Sequence, residues 1–299
     1  MSSSAAPKKI WTILDLLNWG TEYLKEKKIE DARLTIELLL SHVLSYQRIQ
    51  LYTSFDKPLS DEELARFKEL LKRRLANEPL QYITGSTQFM GLPFAVDRRV
   101  LIPRPETEIL VDQCVKTVKQ SFANEGTISI LDLGTGSGCI AVALAKLLPA
   151  STVTAVDVSV EALAVAQQNA VTNNLQDRVR FEQNDILQMS GGILSEKFHC
   201  IISNPPYISE KEFAEVSKDV KDFEPNSALT DHGDGLKFYP PIASFAMDHL
   251  TGNGFVCVEH AYDQSELVQK IFAEYGFIEP VVIKDYQGIN RHLLFVKKS

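Results

Sequence analysis

The chain has 299 residues, of which 44% are hydrophobic and 23% charged, with a formal net charge of −8. That length suggests a large domain with a smaller companion, the acidic balance disfavours a surface that tracks a nucleic-acid backbone, and no apolar run reaches the length of a membrane span. Cys114, Cys139, Cys200 and Cys257 form no C-x-x-C pair and the six histidines lack ligand spacing, so free buried thiols in a reducing cytoplasm and no metal are expected.

Residues 1–9 are rich in Ser, Ala and Lys and lack the apolar core of a secretory signal, as a short disordered tail would. Ile10, Ile13, Leu14, Leu17 and Leu24 then recur at helical spacing. Asp31 is placed to cap a second helix carrying Leu34, Leu38, Leu39 and Val43. Ser60-Asp61-Glu62-Glu63 reads as a capping box ahead of Leu64, Phe67, Leu71 and Leu75. These segments predict a small helical bundle over residues 1–80. Gly85, Gly91 and Pro93 punctuate short apolar segments over 81–104, the pattern of a β-hairpin linker.

Residues 105–299 begin with a helix near 106–119 and then alternate. Strands are expected at 128–133, 153–157, 179–182, 200–203 and 255–259, with helices at 138–148, 160–173 and 264–275. Strands near 281–283 and 293–296 would bring the sheet to seven. Such alternation predicts an α/β domain whose sheet is mostly parallel and covered on both faces.

Asp132-Leu133-Gly134-Thr135-Gly136-Ser137-Gly138 ends one strand and opens a helix, the place where open α/β sheets bind ligands. Its spacing is G-x-G-x-G. Cys139 stands where the dinucleotide fingerprint would need glycine or alanine, so the loop is closer to the first motif of class I methyltransferases. A tight turn without a ligand is the plainer alternative. Asp157, followed by Val158, ends the next strand; it is open to two roles, acceptor for both ribose hydroxyls of an adenosine or cap of the following helix. Asn184-Asp185-Ile186 follows the third strand, where Asp185 either sits near an adenine or serves the turn.

Asn204-Pro205-Pro206-Tyr207 closes an apolar strand. An amide nitrogen has its lone pair delocalised into the carbonyl and is a poor nucleophile. Holding its N–H groups with acceptors aims it. Asn204 offers a side-chain carbonyl and Pro205 a backbone carbonyl, and the prolines bring no competing N–H. Tyr207 can pack on the substrate plane. Alignment can supply much of the rate without a strong general base. The same acceptors would suit an exocyclic amino group of a purine, and a Pro-rich strand exit is the plainer alternative.

The chain resembles the HemK/PrmC family of protein-(glutamine-N5) methyltransferases. The resemblance covers essentially its whole length: Glu78-Pro79-Leu80-Gln81-Tyr82-Ile83-Thr84-Gly85, Leu101-Ile102-Pro103-Arg104-Pro105-Glu106-Thr107-Glu108, the glycine loop, Asn204–Tyr207, Phe223-Glu224-Pro225 and Asp234-Gly235-Leu236. It implies a class I, Rossmann-like methyltransferase domain that uses S-adenosylmethionine. Its substrate would be the glutamine of the Gly-Gly-Gln motif in class I peptide-chain release factors, in support of translation termination. By position, Asp132, Gly134, Thr135, Gly136, Ser137, Gly138, Asp157, Val158, Asp185, Ile186 and Asn204 would bind the cofactor. Asn204, Pro205, Pro206 and Tyr207 would hold the glutamine, and the helical bundle would recognise the release factor. Neither nucleic acid nor membrane is an expected partner. Ile186 departs from the family's frequent tryptophan, which leaves adenine stacking open. Arg104 and Glu106 are open to two roles, shaping the cofactor entrance or forming an ion pair. A nucleic-acid N-methyltransferase and a non-catalytic binding module are the competing readings.

Overall fold

The computed structural model describes residues 9–189 and 196–297; the tail expected over 1–9 lies, apart from Lys9, outside them. The chain forms two compact units, Met1–Thr84 and Gly85–Ser299.

Among the described residues, five helices build the first unit: α1 (Ile13–Glu26), α2 (Ala32–Leu44), α3 (Arg48–Thr53), α4 (Asp61–Leu75) and α5 (Leu80–Thr84). A reciprocal cap starts α4: Ser60 Oγ accepts the Glu63 N–H at 3.1 Å, and the Glu63 carboxylate accepts the Ser60 N–H at 2.7 Å. Acids fill its first turn and Lys72, Arg73 and Arg74 its last, both favourable to the helix dipole. Thr12 and Asp15 make the same box at α1, which therefore begins at Ile13 and leaves Ile10 outside, 72% exposed. Leu14 and Leu34 also face out; the buried stripes are Ile13, Leu16, Leu17 and Leu24 on α1 and Ile36, Leu39, Leu40 and Val43 on α2. Asp31 is a correction. It precedes α2 in a left-handed conformation and its side chain makes no cap hydrogen bond. A capping side chain needs an extended backbone behind it to turn back on the first N–H groups.

The second unit opens with a hairpin, β1 (Ser86–Phe89) and β2 (Leu92–Ala95). There follow α6 (Pro105–Ser121), β3 (Ile128–Leu133), α7 (Cys139–Leu147), β4 (Ser151–Asp157), α8 (Val160–Thr172), β5 (Val179–Gln183), β6 (Phe198–Ser203), α9 (Glu210–Phe213) and α10 (Lys218–Lys221). The chain continues through α11 (Tyr239–His249), β7 (Leu250–Glu259), α12 (Ser265–Glu274), β8 (Val281–Lys284) and β9 (Asn290–Val296). The seven-stranded sheet runs β5-β4-β3-β6-β7-β9-β8, parallel except where β9 meets β7 and β8. β3 and β6 are buried on both faces, as their continuous apolar runs require. Helix α11 has no forerunner in the sequence expectations. Pro240 and Pro241 sit in its first turn, where their missing N–H groups are not needed.

Side chains of α8 hold the hairpin and the glycine loop together. Asn169 Oδ1 accepts the Ala95 N–H at 2.7 Å, and its Nδ2 donates to Ala95 O at 3.0 Å and to Ser137 O at 2.9 Å. Asn173 Nδ2 donates to Pro93 O at 3.0 Å. At Gly138 α7 approaches α8 so closely that an added Cβ would lie 2.9 Å from Ala166 Cβ, and φ is +78°. Both facts demand glycine. Gly138→Ala should therefore destabilise the second unit by about 1–2 kcal/mol from the left-handed backbone alone, with the clash adding to it. Thermal melts that match wild type would show that α8 moves aside without cost.

Candidate active site

Sheet register assembles the site. Leu133 of β3 pairs with Ser203 of β6, and Ser203 pairs with Val258 of β7. β3 and β6 end at this level and β7 one residue beyond it, so Gly134, Asn204 and Glu259 stand side by side. The strand order reverses about β3, with β4 on one side and β6 on the other, which opens a crevice at the carboxyl ends. Ser203 Oγ donates to Leu133 O at 2.8 Å and fastens β6 to β3 at that level.

A cavity of about 350 Å³ fills the crevice. Gly134, Gly136, Asp157, Val158, Asp185, Ile186, Asn204 and Pro206 all line it. Thr135, Ser137 and Gly138 do not: Thr135 and Ser137 are buried beneath the loop, and Gly138 meets Ala166. Asp132 is fully buried behind it. Asp157 is tied to the loop, since its carboxylate accepts the Gly136 N–H at 2.8 Å and the Ser159 N–H at 2.9 Å. It is not the cap of α8; Ser159 is, with Oγ accepting the Ala162 N–H at 3.1 Å. Asp185 caps a 3-10 turn at Ile186–Gln188 through the Leu187 N–H and also lines the cavity.

A second cavity of about 200 Å³ is lined by Arg104, Pro205, Tyr207, Ile208, Val216 and Leu229 among others. Asn204 lines both cavities. The loop that carries it is clamped. Gln264 Nε2 donates to Tyr207 O at 2.9 Å, and Gly235 presses so close that an added Cβ would lie 2.2 Å from that oxygen. Tyr207 donates its hydroxyl to Glu259 Oε1 at 3.1 Å. Burial, reinforced by that carboxylate, holds the phenol well above its ordinary pKa, so it stays a donor.

Arg104 pairs with Glu224 at 2.6 Å, not with Glu106, and lines the smaller cavity rather than the larger. The other oxygen of Glu224 accepts the Ile102 N–H at 3.1 Å, so this pair joins two stretches that the sequence singled out separately. Sequence reasoning gave no role to Thr107 or Glu259. A charged residue closing the apolar run of β7 was the available signal for Glu259. Among the described residues no cluster of His, Cys, Asp and Glu could hold a metal, and no helix is long and apolar enough to cross a membrane.

Two carboxyls behind the glycine loop are perturbed. Burial, with the nearby Asp157 charge adding, pushes Asp132 up to about 7 against the Thr135 hydroxyl, which donates to it at 2.6 Å. Burial also raises Asp157 above the ordinary carboxylate range. Asp132 Oδ1 has no hydrogen-bond partner. A carboxyl raised on folding keeps its proton in the folded state over a range where the unfolded chain has lost it. The contribution of Asp132 to stability should therefore fall as the pH rises from about 4 to about 7, and level off above. Asp132→Asn should flatten that dependence in denaturation curves across this range. An unchanged slope would remove Asp132 as its source.

Residues 15–85 match the family described as PrmC N-terminal domain, and residues 107–223 match the methyltransferase small domain. A release factor glutamine methyltransferase of Chlorobaculum tepidum is 40% identical over 288 residues, spanning 96% of this chain and 97% of that protein. One from Geobacter sulfurreducens is 41% identical over 283 residues, spanning 95% and 96%. Among solved structures, a methyltransferase from Pyrococcus furiosus covers 78% of this chain and 100% of its own with a TM-score of 0.50; at 21% identity that likeness speaks for the fold alone. Near-complete alignment to relatives of this kind shows that the chain belongs to the release factor glutamine methyltransferase family.

Proposed function

We propose that the protein transfers a methyl group from S-adenosylmethionine to the side-chain amide nitrogen of the glutamine in the Gly-Gly-Gln motif of class I peptide-chain release factors. It would do so in the cytoplasm, in support of translation termination. The observation that carries this reading is that Asn204 lines both cavities; Leu101 and Ala228 do so too, but of the three only Asn204 brings a polar side chain to the border of a cofactor-sized space and a narrower one.

The larger cavity suits the cofactor. Gly136 faces open space where a side chain would intrude, and Val158 lies 58% exposed on the wall, an apolar surface available to a flat ring. Asp157 already accepts backbone N–H groups and, as a carboxylate, has lone pairs left for ribose hydroxyls. Ile186 offers apolar contact in place of aromatic stacking. S-adenosylmethionine, when bound, supplies an electrophilic methyl group.

The smaller cavity suits an amide on an apolar stem. Leu101, Ile208, Val216, Val220 and Leu229 give it aliphatic walls. At its junction with the larger space, Asn204 and the Pro205 carbonyl can accept the amide N–H groups and turn the nitrogen toward the methyl donor. Tyr207, fixed at both ends, limits the tilt of the amide plane. These acceptors are preorganised before the substrate arrives. Two glycines beside the target glutamine would let it enter without steric opposition.

Asp157→Ala should weaken cofactor binding by about 1.5–3 kcal/mol, the range for hydrogen bonds to a charged group. Wild-type affinity should also fall on acidification as Asp157 protonates, earlier than for an ordinary carboxylate. Calorimetry giving equal affinities for both proteins would take Asp157 out of the site.

Substrate identity is settled by offering release factor, duplex DNA and ribosomal RNA in parallel with labelled cofactor. Label is expected on the Gly-Gly-Gln glutamine, located by mass spectrometry. Label in nucleic acid and none in release factor would favour an amino-purine substrate, which the Asn-Pro-Pro-Tyr loop could equally hold.

A further inference from the structure

We infer that Thr107 is a positioning residue for methyl transfer, setting which end of the Asn204 amide faces the substrate under the control of the buried carboxylate of Glu259. The inference rests on the proposed function, in which the Asn204 carbonyl accepts from the reacting amide.

An asparagine amide is nearly symmetric in shape but opposite in polarity at its two ends. Turned by 180°, Asn204 would offer an N–H to the substrate nitrogen, itself a donor, and the alignment would be lost. Something must therefore fix the end that faces in. Asn204 Nδ2 donates to Thr107 Oγ1 at 3.0 Å. Thr107 donates its one hydroxyl hydrogen to Glu259 Oε2 at 2.8 Å. The hydroxyl has no second hydrogen, so toward Asn204 it can only accept.

Glu259 imposes this direction because its oxygens are the acceptors of the donors that face them. It takes Thr107 at one oxygen and the Tyr207 hydroxyl at the other, while its backbone carbonyl takes the Tyr239 hydroxyl at 3.0 Å. All three groups must donate toward it. Thr107 is 2% exposed and Glu259 1%, so no bulk water offers the hydroxyl another arrangement. The polarity runs outward from Glu259 through Thr107 to Asn204 and leaves Oδ1 as the end for the substrate. Thr107 also lies in the first turn of α6, within the Ile-Pro-Arg-Pro-Glu-Thr-Glu run, which thereby acquires a chemical role.

Thr107→Val keeps the shape and removes the hydroxyl; Thr107→Ser keeps the hydroxyl. With release factor as substrate, Thr107→Val should lower kcat roughly ten- to hundredfold, the scale on which losing an orienting partner behind a functional side chain acts. KM and cofactor affinity should stay within about twofold, because the cavity walls are untouched. Thr107→Ser should recover most of the loss. In single-turnover measurements on an Asn204→Ala background, Thr107→Val should cost nothing further, since the group it orients is gone. A merely structural role predicts the same fractional loss in both backgrounds. An active wild type with wild-type kcat in Thr107→Val, or an undiminished loss in the Asn204→Ala background, overturns this inference alone. A wild type that leaves the glutamine unmethylated overturns the proposed function and this inference with it.

Discussion

The alignment of Leu133, Ser203 and Val258 across β3, β6 and β7 is the constraint on which the rest of the site depends. A slip of β6 by one residue would move Asn204 by about 3.3 Å along its strand. That exceeds the tolerance of a hydrogen bond, so contact with Thr107 would be lost, as would the meeting of the two cavities at Asn204. The slip would also turn every side chain of a doubly buried strand to the opposite face. Apolar packing on both sides of the sheet thus sets the position of polar groups at its edge. Fold stability and site geometry are here one property.

Much of this was legible before any coordinates. The glycine loop, Asp157 and the Asn-Pro-Pro-Tyr run stand at strand ends, where a change from apolar to polar or glycine-rich sequence is visible locally. Of the central strands β3 falls on the expected 128–133, while β6 and β7 begin earlier than expected, at Phe198 and Leu250. Contacts between distant segments leave no such local mark. Thr107 meets Glu259 across 152 positions and Asn204 across 97, and Arg104 meets Glu224 across 120. Periodicity carries no information at that range. Arg104 shows the consequence: a charged neighbour two residues away suggested Glu106, while the fold delivered Glu224.

Local readings failed where a residue type suited a role but its backbone did not. Asp31 has a capping side chain on a left-handed residue. Ile10 fits a helical period, yet the Thr12 cap starts α1 at Ile13 and leaves it outside. Tyr239-Pro240-Pro241 carries no helix expectation and is a helix start. In each case the deciding quantity was a dihedral angle or the satisfaction of a backbone N–H, and neither follows from residue type alone.

The loops that form the site have no ladder to satisfy their backbone groups, yet they must be rigid. Carboxylates supply the missing acceptors. Asp157 takes Gly136 and Ser159; Asp231 takes Gly233, Gly235 and Lys237; and Glu224 takes Ile102. Hydrogen bonds to an ionised acceptor are shorter and roughly twice as strong as neutral ones. They hold a loop against its entropy where apolar packing, which is non-directional, could not hold a backbone at a set angle. This bears on the chain's net charge of −8. Glu224, Asp231 and Glu259 are buried, so part of the acidic excess serves internal scaffolding. Acids outnumber Lys and Arg among the buried side chains, so the acidic balance of the composition is not all displayed on the surface.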